Sequence, residues 1–263
     1  YSTVQAVDDN LANYRIPEAA KALQSFVDEM SNWYVRRGRE RYWAPGMEAD
    51  KVAGGGVFVH FDNISGKKAE VYVDTEVHNS GKRTRTVAVE TVLVDAGDVP
   101  VKRVSQQVKL QAGESKTVRQ RFAVRNPKLW SPDSPYLYRI QSRVKDGHEV
   151  LDGGVTRVGI RKAEFKGKDG FWLNGKPFGQ LVGANRHQDF AYVGNALPNS
   201  QQWRDAKRLR DAGCTIIRVA HYPQDPAFMD ACDEMGLFVI VATPGWQYWN
   251  KNPEFAKLVH RNT

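Results

Sequence analysis

Residues 215–223 read Thr-Ile-Ile-Arg-Val-Ala-His-Tyr-Pro. The apolar residues predict a short buried strand, and the proline ends it. Arg218 then stands inside the strand and His221 at its carboxyl end. A guanidinium is too costly to bury alone and calls for partners. In a barrel of parallel strands the carboxyl ends are where chemistry is placed. A second histidine, His187, follows an apolar run in Ala-Asn-Arg-His-Gln-Asp (184–189), with Asn185 and Arg186 expected in the same loop. Trp246, Tyr248 and Trp249 follow a third apolar run, where aromatic rings either stack on a ligand or close a core. Carboxylates suited to acid–base work are scarce. After residue 165 the only glutamates are Glu234, at the end of one predicted helix, and Glu254, at the start of another. Both are expected to serve the surface, and no Asn-Glu pair occurs anywhere in the chain.

Three segments of different rhythm must position these residues. In residues 1–53, Pro17 and Glu18 suit the first turn of a helix. Ala20, Leu23, Val27, Met30 and Tyr34 then recur at helical spacing. Arg36, Arg37, Arg39 and Arg41 gather at the negative end of its dipole, and Pro45-Gly46 breaks it. Residues 57–165 have period two, as in VFVHF, EVYVDTEVHN, VAVETVLVD, TVRQRFAVR, YLYRIQSRV and VTRVGIRKAEF. Turns are expected at Asn79-Ser80-Gly81, Asp95-Ala96-Gly97, Gln111-Ala112-Gly113 and Asp146-Gly147. About seven short strands of this kind predict an antiparallel sandwich. Residues 166–263 alternate strand and helix. A strand is expected over Phe178–Gly183, a helix capped by Ser200 and stopped by Gly213, a strand over Thr215–Ala220, a helix over 226–236, a strand over Leu237–Ala242 and a helix from Pro253. Continuous apolar strands separated by helices predict a parallel α/β unit. Three strands cannot close an eight-stranded barrel, so the segment is expected to open a larger fold.

Composition narrows the classes. The net charge is +8, but residues 1–56 carry 7 basic and 8 acidic side chains, residues 57–165 carry 19 and 13, and residues 166–263 carry 12 and 9. An excess spread over alternating strands is a solvated surface and argues against a nucleic-acid footprint. No apolar run reaches membrane-spanning length. The first residues lack a signal-peptide pattern and do not begin with Met, as expected of an excised or processed piece. The compartment is left open. Cys214 and Cys232 are expected to be free thiols. His60, His78, His148 and His260 have no ligand spacing, so no metal and no cofactor are expected.

Four blocks together resemble the family 2 glycoside hydrolases, which include β-galactosidases and β-glucuronidases. They are NPKLWSPDSPYLYRIQSRV, VGIRKAEFKGKDGFWLNGKPFGQLVGANRHQDF, WRDAKRLRDAGCTIIRVAHYPQDPAFMDACDEMGLFVI and ATPGWQYWN, the last resembling a gut-bacterial branch. The resemblance implies an immunoglobulin-like sandwich over 57–165 and the incomplete N-terminal part of a TIM (β/α)8 barrel over 166–263. It implies a β-glycoside as the partner, bound by His187, His221, Arg218, Asn185 and Trp246. The family's two catalytic glutamates fall on later strands. This chain holds no match to them, so no catalytic residue is assigned and the chain alone is expected to be inactive. Ala242-Thr243 stands where better-known members carry Asp-Glu, which speaks against a metal-linked site.

Residues 1–53 instead resemble the helical anticodon-binding domain of isoleucyl-tRNA synthetases, chiefly through SFVDEMSNWYVRRGRERYW. That implies a chimeric chain with its junction near Ala53-Gly54-Gly55-Gly56. Two other readings stand beside the glycosidase fragment. One is a non-catalytic assembly unit that self-associates through the N-terminal helix or the open barrel edge; the other is tRNA binding by the first segment.

Overall fold

A computed structural model of the chain describes residues 56–241 and 250–262, with positions 7, 9, 10, 12, 13 and 18 besides. The chain divides into two compact units, Tyr1–Met47 and Glu48–Thr263. The amphipathic helix expected after Pro17 lies outside the described residues apart from the helical Glu18, as do Ala242, Thr243, Trp246, Tyr248 and Trp249.

From Val57 the period-two pattern becomes an antiparallel sandwich. Its strands are β1 (Val57–Asp62), β2 (Lys68–His78), β3 (Arg85–Val94), β4 (Pro100–Leu110), β5 (Ser115–Arg125), β6 (Tyr138–Asp146) and β7 (Glu149–Val158). One sheet runs β1-β2-β5 and the other β4-β3-β6-β7. Alternation puts Val71, Val73, Leu93, Phe122, Val124, Tyr138, Ile140 and Val158 into one core between the sheets. Thr91 donates to Gln120 Oε1 at 2.5 Å, and Gln120 donates to the Val89 carbonyl at 2.9 Å, a satisfied polar link across that core. The expected turns form. Asn79, fully buried, donates to the carbonyls of Arg83 and Gln111 at 2.9 Å each and accepts from Gly81 N. In the β6–β7 hairpin Gly147 takes φ +58, which costs glycine nothing.

β4 has no counterpart among the expected strands. It is an edge strand with ten of its eleven residues exposed or half-buried, so neither face imposes apolar alternation. Lys102, Arg103 and Lys109 guard it against pairing with another edge. The run expected to continue as one strand to Phe165 breaks after Val158, and β8 (Ala163–Phe165) joins β9 (Phe171–Leu173) and β10 (Lys176–Pro177) in a separate sheet.

The remaining elements are β11 (Gly183–Arg186), α1 (Asn199–Asp211), β12 (Ile216–Val219), α2 (Pro226–Met235), β13 (Phe238–Val241) and α3 (Pro253–Asn262). β11, β12 and β13 pair in parallel in that order. This is the strand–helix opening of a parallel barrel. Two expectations are corrected. Ser200 does not cap α1; the cap is Pro198, without a side-chain bond, and the helix begins at Asn199. The first strand starts at Gly183 instead of ending there. Phe178 and Leu181 are half-buried because they pack beside Phe171, Phe238 and Trp130 below the sheet, which removes them from water without a strand. Gly183 is demanded by close approach, since a Cβ there would meet the Ile216 carbonyl oxygen. α2 forms as expected: Asp225 caps it by accepting from Ala227 N at 2.8 Å, and Gly236 ends it at φ +75.

Trp130, in the β5–β6 connection, joins sandwich and barrel. Its ring is fully buried and meets Phe238 of β13 edge-on, with centroids 5.3 Å apart. Its indole N–H donates to the Asp233 carbonyl of α2 at 2.8 Å. Its amide donates to Ile160 O at 2.8 Å, and its own carbonyl accepts from Asn174 at 3.0 Å. The Arg161 guanidinium lies 4.7 Å above the ring. Around it, Arg157 of β7 pairs with Asp230, at 2.6 Å, and with Glu234 of α2. Arg210 of α1 reaches Pro132 O at 3.0 Å.

Trp130→Ala is expected to remove about 3–5 kcal/mol of stability in urea unfolding, because it opens a cavity and orphans a carbonyl. Gly159→Ala is expected to cost about 1–3 kcal/mol, because a Cβ there would lie 2.8 Å from the Trp130 ring.

Candidate functional site

The register of the parallel sheet sorts its side chains. Asn185 stands beside Arg218, and Arg218 beside Ile240. Alternation puts these three on one face and Arg186, Ile217 and Val219 on the other. Ile217 and Val219 are fully buried against Ala206, Phe228, Ala231 and Cys232 of the two helices. The opposite face is therefore the barrel's inner face. Asn185 and Ile240 are exposed there and Arg218 is half-buried. Arg218 was expected to need partners because burial would strand its charge. On this open face the residue is only half-buried, and among the described residues no ion pair holds it.

His187 and His221 follow the carboxyl ends of β11 and β12. Their rings meet edge to face, with centroids 5.2 Å apart and planes 76° apart. His187 is exposed and His221 half-buried. Burial, the Arg218 charge and His187 all disfavour the imidazolium, so His221 titrates below the ordinary histidine value of 6.5. At neutral pH it is an uncharged imidazole that can both donate and accept. Of the sequence candidates, the structure thus brings His187, His221, Arg218 and Asn185 to one end and one face of the sheet. Trp246 lies outside the described residues.

Arg186 belongs elsewhere. It was expected in a loop beside Asn185, but it is the last residue of β11 and its side chain is buried on the helix side, 5% exposed. Its guanidinium donates to Gln224 Oε1, to Gln202 Oε1 at 2.7 Å and to Asp205 Oδ2 at 2.8 Å, and lies 3.9 Å over the Phe228 ring. One long strand residue thus fastens β11 to α1, α2 and the loop after β12. Its polarity hid this role, because charge in an apolar run reads as a strand end.

The β11–α1 loop adds a residue that spacing could not reveal. Tyr192 is fully exposed at φ +72, at the tip of a small hairpin closed by paired Phe190–Gly194 backbone bonds. Gln188, at the loop's base, accepts from Asp225 N at 2.9 Å and so ties it to the β12–α2 loop.

The other titratable groups have structural settings. Glu234 is held by Arg157, and Glu254 is exposed beside Lys257 at 2.7 Å. His60 is stacked between Phe58 and Tyr72, and His78 Nδ1 lies 2.8 Å from Ser115 Oγ. Cys214 and Cys232 are free, and burial pushes the Cys232 thiol up to about 12. Among the described residues no group of three His, Cys, Asp or Glu side chains is arranged to hold a metal. No described helix is long and apolar enough to cross a membrane.

An antiparallel sandwich bolted to the opening of a parallel β/α barrel, with polar side chains at the carboxyl ends of its strands, defines a sandwich-and-barrel protein of the kind whose sites are built on the carboxyl face. Residues 56–161 match the profile Glycosyl hydrolases family 2, and residues 164–260 match Glycosyl hydrolases family 2, TIM barrel domain. Over these residues the chain belongs to that family. It is 35% identical over 193 residues to the beta-galactosidase of Thermoanaerobacter pseudethanolicus, covering 73% of this chain and 25% of that one. Beta-galactosidase BoGH2A of Bacteroides ovatus is 31% identical over 222 residues, covering 84% and 26%. The crystal structure of a family 2 member from Bacteroides cellulosilyticus superposes with a TM-score of 0.72 at 33% identity, covering 81% and 28%. A Bacteroides uniformis beta-glucuronidase superposes at 0.71 and 28% identity, covering 79% and 25%. The chain spans about a quarter of the length of these relatives.

Arg186→Leu is expected to cost about 3 kcal/mol or more in chemical unfolding, because it leaves Asp205 and two buried glutamine amides without their donor. The lowered His221 value also sets a direction with pH. The unfolded chain takes up this proton first, so the contribution to folding is complete above 6.5 and is lost as pH falls through the depressed value. Imidazole NMR is expected to show the low midpoint. In Arg218→Met it is expected to rise only part of the way to 6.5, because burial is the larger cause.

Proposed function

We propose that the chain supplies the immunoglobulin-like sandwich (57–165) and the first part of the TIM barrel (166–263) of a retaining glycoside hydrolase acting on β-galactosides or related β-glycosides. In this reading the carboxyl end of its sheet is one wall of the sugar pocket. The observation that carries it is the pair of histidines 5.2 Å apart at neighbouring strand ends, with Asn185 and Arg218 on the adjoining inner face. Imidazoles and an amide suit sugar hydroxyls, and Arg218 suits a carboxylate brought from another strand. Trp246 is assigned to the same pocket as a stacking residue.

Retaining hydrolysis needs two carboxyl groups about 5–5.5 Å apart across the scissile bond. Glu234 is engaged by Arg157, and Glu254 lies on α3 beside Lys257. In this reading the chain by itself binds without turning over. Residues 1–53 are read as a synthetase-like helical segment fused to this module, on the strength of SFVDEMSNWYVRRGRERYW. In the competing assembly reading, Ile240 and Val241, each about half exposed on an edge strand, favour self-association.

The pure chain is expected to release no nitrophenol from nitrophenyl β-galactoside. It is expected to show methyl β-galactoside shifting the His187 and His221 imidazole signals in NMR titrations. His187→Ala and His221→Ala are each expected to weaken that binding by about tenfold. Turnover by the pure chain would place a catalytic pair within it and overturn the reading.

A further inference from the structure

One backbone atom holds both sides of the turn that carries His221. The carbonyl oxygen of Arg186 accepts from Ala220 N at 2.9 Å and from Gln224 Nε2 at 2.6 Å. Those two donors flank His221 on either side in sequence. The same carbonyl belongs to the peptide that leads into His187. The side chain of Arg186 holds the other end of the Gln224 amide, through Nη1 to Gln224 Oε1. With its oxygen so engaged, the amide can present only its N–H group to the carbonyl, and Gln224 is buried at 7% exposure. Asp205 and Gln202 then fix the guanidinium from α1.

We propose that Gln224 and Arg186 are positioning residues for ligand binding. In this assignment the Gln224 amide, oriented by the Arg186 guanidinium, fastens the 220–224 turn to the Arg186 carbonyl and so sets the separation of His187 and His221. The proposal rests on the reading of those histidines as sugar contacts. Neither residue touches the ligand. A ligand that bridges two imidazoles is sensitive to their spacing, and a shift of about 1 Å in a binding group is enough to lose most of its hydrogen bond.

Gln224→Met keeps the length and shape of the side chain and removes its hydrogen bonds to the Arg186 guanidinium, the Arg186 carbonyl and the Ala220 carbonyl. It is expected to weaken methyl β-galactoside binding by about tenfold and to raise the His221 titration midpoint toward 6.5, as the loosened turn opens to water and moves from Arg218 and His187. Trp130→Phe, which loosens the seam between sandwich and barrel and removes the bond to the Asp233 carbonyl, is expected to lower the melting temperature while leaving both readouts at their native values. A purely structural role for Gln224 predicts the same pattern in Gln224→Met, and that result would overturn the proposal. Gln224→Glu keeps an acceptor for Arg186 but loses the donor toward the carbonyl, and is expected to bind no better than Gln224→Met. Native affinity in Gln224→Glu would also overturn the proposal. If the unaltered chain binds no galactoside, the sugar reading fails. An unmoved His221 midpoint in Gln224→Met would then dismiss the positioning role as well, and a raised one would keep it.

Discussion

The burial of Trp130 is the constraint on which the two halves of the folded region depend. An indole of that size is removed from water only if both halves contribute walls, and its N–H is satisfied only by a carbonyl at the end of α2. The sandwich therefore docks where α2 ends, and α2 ends where Gly236 allows the chain to turn left-handed against Pro132. The arginines around the indole add direction. Arg157 and Arg161 approach the acidic turn of α2 from the sandwich, and Arg210 returns the contact from α1. Such partly exposed pairs contribute little to stability singly. Their value is in fixing the angle at which the indole meets its hole.

A second buried group, Arg186, does for the site what Trp130 does for the domains. A charge on the helix side of a barrel strand has to be met by acceptors, and here they come from α1 and from the loop after β12. The consequence is a rigid floor under the strand ends: β11 cannot slide against β12 without breaking the network. On the opposite face Asn185 stays exposed and Arg218 half-buried. Arg186, buried and bonded, and Arg218, half-buried on the open face, differ in role through the parity of strand position.

Much of the sandwich was legible because both of its sheets bury one face, and burial writes itself into sequence as alternation. Where that coupling fails, the reading failed. β4 buries almost nothing, so its sequence resembles a polar linker. Phe178 and Leu181 look like strand residues because apolar content reports removal from water and not backbone conformation. Ser200 looks like a helix cap, but the chain enters α1 through Pro198, whose fixed φ already sets the direction of approach.

The sequence by itself determined the order of segments, the period of each, the stop signals at Gly236 and Asn79-Ser80-Gly81, and the membership of residues 56–260 in a glycosidase family. Those are properties of local chain chemistry and of motifs with fixed spacing. Through the family resemblance it also named His187, His221, Arg218, Asn185 and Trp246 as ligand contacts. Only the tertiary structure decided that the two histidines touch, that Arg186 turns away from them, and that Gln224 bridges the strands beneath. Register and strand parity place each side chain on a face, and both follow from how β11 pairs with β12. That pairing is a long-range choice made by packing, which spacing along a chain does not record.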